Sequence, residues 1–197
     1  MALSRERIAD ELLKLLALQD PSTTVGIMLE RRILAPVLPE IEADRLPDLK
    51  RLIAAELEAE IMPDGLRRLA SLLPRDPETA QAVAVRLKLS NKARKRLACA
   101  ASPDTSSPPE TLGYRLGATC ACDRLLLAGE PQSASRIAKW HPPRLPIGGG
   151  ALIARGLPEG PIVARTLRRI EDRWIAEGFP RGDELEAIVA EALAAAR

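Results

Sequence analysis

The 197-residue chain is 46% apolar, yet it holds only two Trp, one Tyr and one Phe; such Leu- and Ala-rich composition belongs to helices, not sheets, in one or two domains. No apolar run approaches the roughly 18 residues of a membrane span, and the densely charged residues 4–14 exclude a signal peptide. The net charge of +2 is uneven: residues 1–64 carry 8 basic and 13 acidic groups, residues 65–182 carry 20 and 10, and the last fifteen carry 1 and 4. A positive middle between acidic ends fits a polyanionic partner.

In chain order, Ser4 caps a predicted helix running to about Leu18, with Ile8, Leu12, Leu15 and Leu16 on its apolar side. Asp20-Pro21 opens a second, carrying Val25, Met28 and Leu29, which runs out at the prolines of 33–39. A third fills about 47–61 with Leu49, Leu52, Ile53 and Leu57 inward. Asp64 caps a short helix through Leu73, Asp76-Pro77 opens one through about Leu87, and Ser90 begins another to about Ala101. The stretch 102–109, SPDTSSPP, is a loop and the best candidate for a boundary.

Helices are expected next at 110–117, 119–129 and 131–140. Pro142, Pro143 and Pro146 then force an extended connector into Gly148-Gly149-Gly150. A short helix at 151–156, a basic one at 161–177 and an Ala-rich one capped by Asp183 complete the chain. Pro161 suits a first helical position, and Val163, Leu167, Ile170 and Trp174 form one apolar stripe behind it. No segment alternates as a strand does. The expected fold is all-α, an array of about ten to eleven helices without a sheet.

Catalytic patterns are sparse. His141 is the single histidine, with no carboxylate at helical spacing to orient it, which disfavours a relay or a histidine metal site. Cys99, Cys120 and Cys122 make no disulfide framework, which points to a reducing cytoplasm. Cys120 and Cys122 read as buried small residues, because a C-x-C on a helix points its thiols apart and a structural zinc needs four ligands. No phosphate loop or dinucleotide fingerprint is present.

Two basic groups remain. Residues 86–96, RLKLSNKARKR, hold Arg86, Lys88, Lys92, Arg94, Lys95 and Arg96 with no acid between Glu78 and Asp104. Such a run is either a solvated face or a nucleic-acid contact. The second group is Arg155, Arg165, Arg168 and Arg169, beside a glycine-flanked helix start whose free N–H groups suit a phosphate. Four aromatics cannot make base stacking the main mode, so duplex or folded RNA held by its backbone is favoured.

Four segments together resemble one family. Residues 3–16, LSRERIADELLKLL, resemble the S-x-E-R-I-x-x-E-L-x-K-L-L neck motif of bacterial class II tRNA nucleotidyltransferases (CCA-adding enzymes) and their poly(A) polymerase relatives. Residues 28–40, ending ILAPVLPE, resemble the segment that follows it, and RLKLSN at 86–91 resembles the family's R-L-R-L-S-N. The stretch 145–179 is similar to the tail of alphaproteobacterial members, with Gly150 where an Asp is common.

The resemblance implies neck-like helices at 1–40, a helical body at 41–101, and remaining body and tail at 110–197 after the 102–109 loop. It also implies a catalytic head before the neck motif, using Mg and CTP or ATP, whose Asp-x-Asp and Glu-Asp-x-x-Arg elements have no counterpart here. Met1 and Ala2 alone precede the motif, and Glu171-Asp172-Arg173 reads as surface charge. The expected role is therefore a cytoplasmic, non-catalytic arm without cofactor that holds folded tRNA by phosphate contacts. The alternative is a helical scaffold that docks a separate head domain or another protein.

Overall fold

The computed structural model describes residues 4–196; Met1, Ala2 and Leu3, with which the first motif opens, and Arg197 lie outside them. Among the described residues the chain is all-α, with twelve α-helices, one 3-10 turn at Ala43–Arg45 and no strand. By its contacts it divides into two units, Met1–Trp140 and His141–Arg197. The division follows Trp140, whereas the loop at 102–108 lies inside the first unit.

The first unit contains α1 (Arg5–Leu16), α2 (Ser22–Glu30), α3 (Leu46–Glu58), α4 (Gly65–Leu72), α5 (Pro77–Arg86), α6 (Asn91–Ala100), α7 (Pro109–Leu116), α8 (Ala118–Leu127) and α9 (Pro131–Lys139). Side-chain caps set several of the starts. The Ser4 hydroxyl accepts from the Arg7 N–H at 3.2 Å, Asp64 from Arg67 at 2.9 Å, Asp76 from Thr79 at 2.7 Å and Ser90 from Ala93 at 3.2 Å. Each satisfies a backbone donor that the helix leaves open, worth about 1 kcal/mol.

Three helix ends use a costlier device. Arg32, Glu60 and Lys88, at the ends of α2, α3 and α5, hold positive φ of 53°, 55° and 55°. After α5, the Lys88 N–H donates to Val85 O and the Leu89 N–H to Ala84 O, both at 2.9 Å, the paired bonds of a Schellman motif. A lysine there lacks the freedom of glycine.

One core joins α1, α2, the 34–41 segment and α3 to α6 through Leu12, Leu16, Val25, Leu38, Leu49, Leu69, Val83 and Leu97. α4 crosses α1 so closely that a Cβ on Gly65 would overlap the Leu13 carbonyl oxygen, which leaves glycine alone at that position. A second cluster lies between α3 and α7–α9, around Leu52, Ala55, Leu112, Leu125, Leu126 and Ile137.

Two sequence expectations fail in this unit. Leu57 is 79% exposed, because the buried stripe of α3 runs through Leu49, Leu52 and Glu56 instead. Glu56 faces inward to meet two arginines of α4. The cysteines are also not all unpaired: α6 and α8 lie side by side, with the Cα atoms of Cys99 and Cys120 6.2 Å apart, and a disulfide joins them. That pairing removes the premise on which a reducing compartment was expected. Cys122 remains a free, buried thiol that donates to Ala134 O at 3.4 Å. Burial, then the nearby Asp123 charge, pushes its pKa up to about 11.

The second unit contains α10 (Gly149–Ala154), α11 (Pro161–Ala176) and α12 (Asp183–Ala194), with α11 packed on both others. Gly160, at φ 122°, is the N-cap of α11 and Pro161 its first residue, a backbone that a β-carbon would strain. Gly149 and Gly150 join α10 instead of forming a loop. Asp183 is the first residue of α12, not its cap, since Gly182 takes that place. The expected apolar stripe ends in fully buried Ile170 and Trp174. The Trp174 indole N–H donates to Pro180 O at 2.8 Å, and its ring meets Phe179 edge-on at 5.0 Å. No helix among the described residues is long and apolar enough to cross a membrane.

Candidate nucleic-acid interface

α6 presents its charges in two directions. Its inward positions are Leu97 and Ala100, so Arg96 beside them turns toward the protein, while Lys92 and Lys95 stay exposed. The Arg96 guanidinium donates to Asp123 at 2.7 and 3.0 Å and to Asp64 at 2.9 Å. Burial opposes its charge, yet Asp123 and then Asp64 outweigh burial and hold its pKa above the ordinary arginine value. Burial likewise raises Asp64, but the Arg67 N–H and Arg96 outweigh it and hold that carboxyl below the usual range.

Arg96 is the outer member of a buried network that sequence reading missed. Arg67 donates to Glu56 at 2.7 Å, to Asp123 at 3.3 Å and to Met62 O at 2.7 Å. Arg68 donates to the other Glu56 oxygen at 2.8 Å and to Leu16 O at 2.8 Å, with a further bond to Leu18 O. Arg67, Arg68, Glu56 and Asp123 are all under 5% exposed. Three arginines against three carboxylates tie α1, α3, α4, α6 and α8 together. The available signal was Arg67-Arg68 set inside an otherwise apolar helix, GLRRLASL.

Arg86 clamps the matching acid of another segment. Its fork meets both Glu40 oxygens at 2.7 and 2.6 Å and also donates to Val37 O at 3.2 Å. Arg86 in turn holds the Glu40 carboxyl below its usual range. Lys88 faces Glu6 at 3.4 Å, with both side chains more than half exposed. Thus the three first-unit segments that carried the resemblance converge: α1 through Glu6, the 28–40 stretch through Val37 and Glu40, and 86–91 through Arg86 and Lys88.

The ten predicted cations therefore sort by partner. Arg86 and Arg96 are engaged in intrachain ion pairs, and Arg155 holds both Glu186 oxygens at 2.7 and 3.1 Å. Lys88 has its loose pair, and Arg94 donates to the Asn91 side chain. Lys92 and Lys95 of α6, and Arg165, Arg168 and Arg169 of α11, are exposed and join no ion pair among the described residues. No acid stands in the first turn of α6. Cations crowd there at the positive end of the helix dipole, which an anion would relieve.

A different surface lies on the α1 and α2 side. An open groove of about 550 Å³ is walled by Ile8, Leu15, Met28, Ile33, Leu34 and Val37, with Arg7 and Glu11 at α1. Ile33 is 54% exposed along it.

Residues 1–45 match the family described as "Probable RNA and SrmB- binding site of polymerase A". No curated protein matches the chain. The matched segment spans α1, α2 and the 31–41 stretch, so it holds every wall of the groove and the Glu40 that Arg86 clamps. Its N-terminal part is similar to the RNA-binding region of poly(A) polymerases, which supports a helical RNA-binding region here.

Proposed function

We propose that this chain is the non-catalytic neck, body and tail of a tRNA nucleotidyltransferase or poly(A) polymerase, holding folded tRNA through phosphate contacts. The observation that carries this reading is the Arg86–Glu40 clamp. It fixes α5 and the unpaired cations of α6 to the segment similar to an RNA-binding region. Lys92, Arg94 and Lys95 then supply backbone contacts, and Arg165, Arg168 and Arg169 supply a second set. The ion-paired Arg86, Arg96 and Arg155 shape the surface more than they bind. The chain carries no nucleotide-transfer chemistry and no cofactor of its own in this reading; the Mg and CTP or ATP belong to a head.

Filter binding of tRNA at rising salt tests it. Phosphate contacts release counterions, so log affinity falls linearly with log salt, by about 0.7–0.9 per phosphate neutralised. Affinity absent at low salt, or indifferent to salt, overturns the reading.

The apolar groove favours a second reading, a scaffold that docks a separate head domain or a protein partner. An apolar wall cannot recognise phosphate, whereas an amphipathic helix would cover it. The matched family's description names a protein, SrmB, as well as RNA. Ile33→Asp separates the two: it removes protein docking and leaves tRNA affinity intact.

A further inference from the structure

Arg75, just after α4, is a charged group that joins no ion pair among the described residues. Its terminal nitrogen donates to Ser102 O at 2.9 Å, but its Nε is buried with no hydrogen-bond partner. Leaving such a donor unmade costs about 1–3 kcal/mol, more for a charged group. Arg75 lines a cavity of about 360 Å³ with Asp48, Arg51 and Ser71, closed on one side by the last turn of α8.

Several neighbouring acceptors already have donors. Asp48 bonds Arg51 and, at 3.4 Å, Arg45. The Ser71 hydroxyl donates to Arg68 O at 2.8 Å. The carbonyls of Arg124, Leu125 and Leu126 accept from the N–H groups of Ala128, Gly129 and Glu130. A second cation, Arg124, stands close enough to disfavour the Arg75 charge. Burial first and Arg124 second hold the Arg75 pKa below the ordinary arginine value, against a weaker pull from Asp48.

We propose that this cavity is a phosphate-binding site, with Arg75 as its inner ligand and Arg51 as its outer one. A guanidinium with no carboxylate bonded to it is the residue type that grips a phosphate. Arg51, 78% exposed at the mouth, is free to swing onto the ligand while Asp48 keeps its bond to Arg45. The site uses none of the exposed cations of α6 and α11 and does not depend on the RNA reading.

Thermal melts of the full chain in inorganic phosphate, against chloride at equal ionic strength, test it. A ligand that binds only the folded chain raises the melting temperature along a saturable curve. The expected result is that rise, with its midpoint about tenfold weaker in Arg51→Met, since a hydrogen bond to a charged group is lost. Arg75→Met abolishes the rise, and Arg75→Lys, which keeps the charge and the fold, weakens it. Lys92→Ala/Lys95→Ala retains it. No saturable rise in the wild type, or one identical in Arg51→Met and Arg75→Lys, overturns the proposal. Competition with RNA at constant ionic strength then identifies the source: displacement of RNA means a backbone phosphate occupies the cavity, and unchanged RNA affinity means a free phosphate or phosphate ester.

Discussion

Arg67 and Arg68 of α4 and Lys92 and Lys95 of α6 are like charges crowded within short helices, yet the fold treats them in opposite ways. The α4 pair is buried against Glu56 and Asp123, and its guanidinium groups make seven hydrogen bonds to side chains and carbonyls, counting that to Gln19 O. The α6 pair is exposed and joins no carboxylate among the described residues. The difference lies in what other helices bring. α3 and α8 deliver acids to α4, whereas at α6 Asp123 of α8 and the capping Asp64 reach only Arg96. A cation run therefore reports function only after its intrachain acids have been subtracted.

The contrast breaks most visibly at Arg68. Arg68→Met leaves Glu56 short of one partner and opens the carbonyls of Leu16 and Leu18. Removing one member of a buried pair costs about 3–5 kcal/mol, so urea unfolding should show a large drop in midpoint. Its methionine keeps the volume, so a drop below about 1 kcal/mol would mean that packing, not charge, holds this junction.

Acid acts next on the paired carboxylates. The Glu40 and Asp64 pKa values are lowered in the folded chain, so their contribution is complete above the unfolded carboxylate range of about 4 and is lost as pH falls through the lowered values. Stability should thus decline as the solution is acidified below that range. Glu40→Gln should lower stability at neutral pH, and its deficit should shrink toward zero in acid. A deficit that stays constant with pH would show that Arg86 gains nothing from the Glu40 charge.

The smallest effect concerns Lys88, which holds a left-handed backbone and only an exposed pair with Glu6. Lys88→Gly should raise the thermal midpoint, because the αL conformation costs a side-chain residue about 1–2 kcal/mol while the exposed pair returns under about 1 kcal/mol. A lowered midpoint would give that pair more weight than its exposure suggests.

The sequence disclosed helix starts better than helix ends. Ser4, Asp64, Asp76 and Ser90 carry their own capping groups, a local chemistry readable from one residue. Arg32, Glu60 and Lys88 end helices in the conformation that glycine normally marks, so no residue type announced them. Leu57 misled because apolarity was weighed without the arginines that draw Glu56 inward. The Cys99–Cys120 pair, 21 residues apart, depends on α6 and α8 lying together, which spacing does not reveal. The basic positions of the candidate site were legible as residues, but their sorting into paired and unpaired cations was not. That sorting needs Glu40, Asp64, Asp123 and Glu186, each from a distant segment.

If the exposed cations of α6 bind RNA while the inward Arg96 holds the fold, charge reversal of the exposed set separates binding from stability. Lys92→Glu/Arg94→Glu/Lys95→Glu, measured by tRNA filter binding across a salt series and by urea unfolding, tests both halves at once. The expected result is an affinity loss of more than about tenfold at low salt, a shallower salt slope and an unfolding midpoint near that of the wild type. Wild-type affinity with an unchanged slope in a folded variant would contradict it.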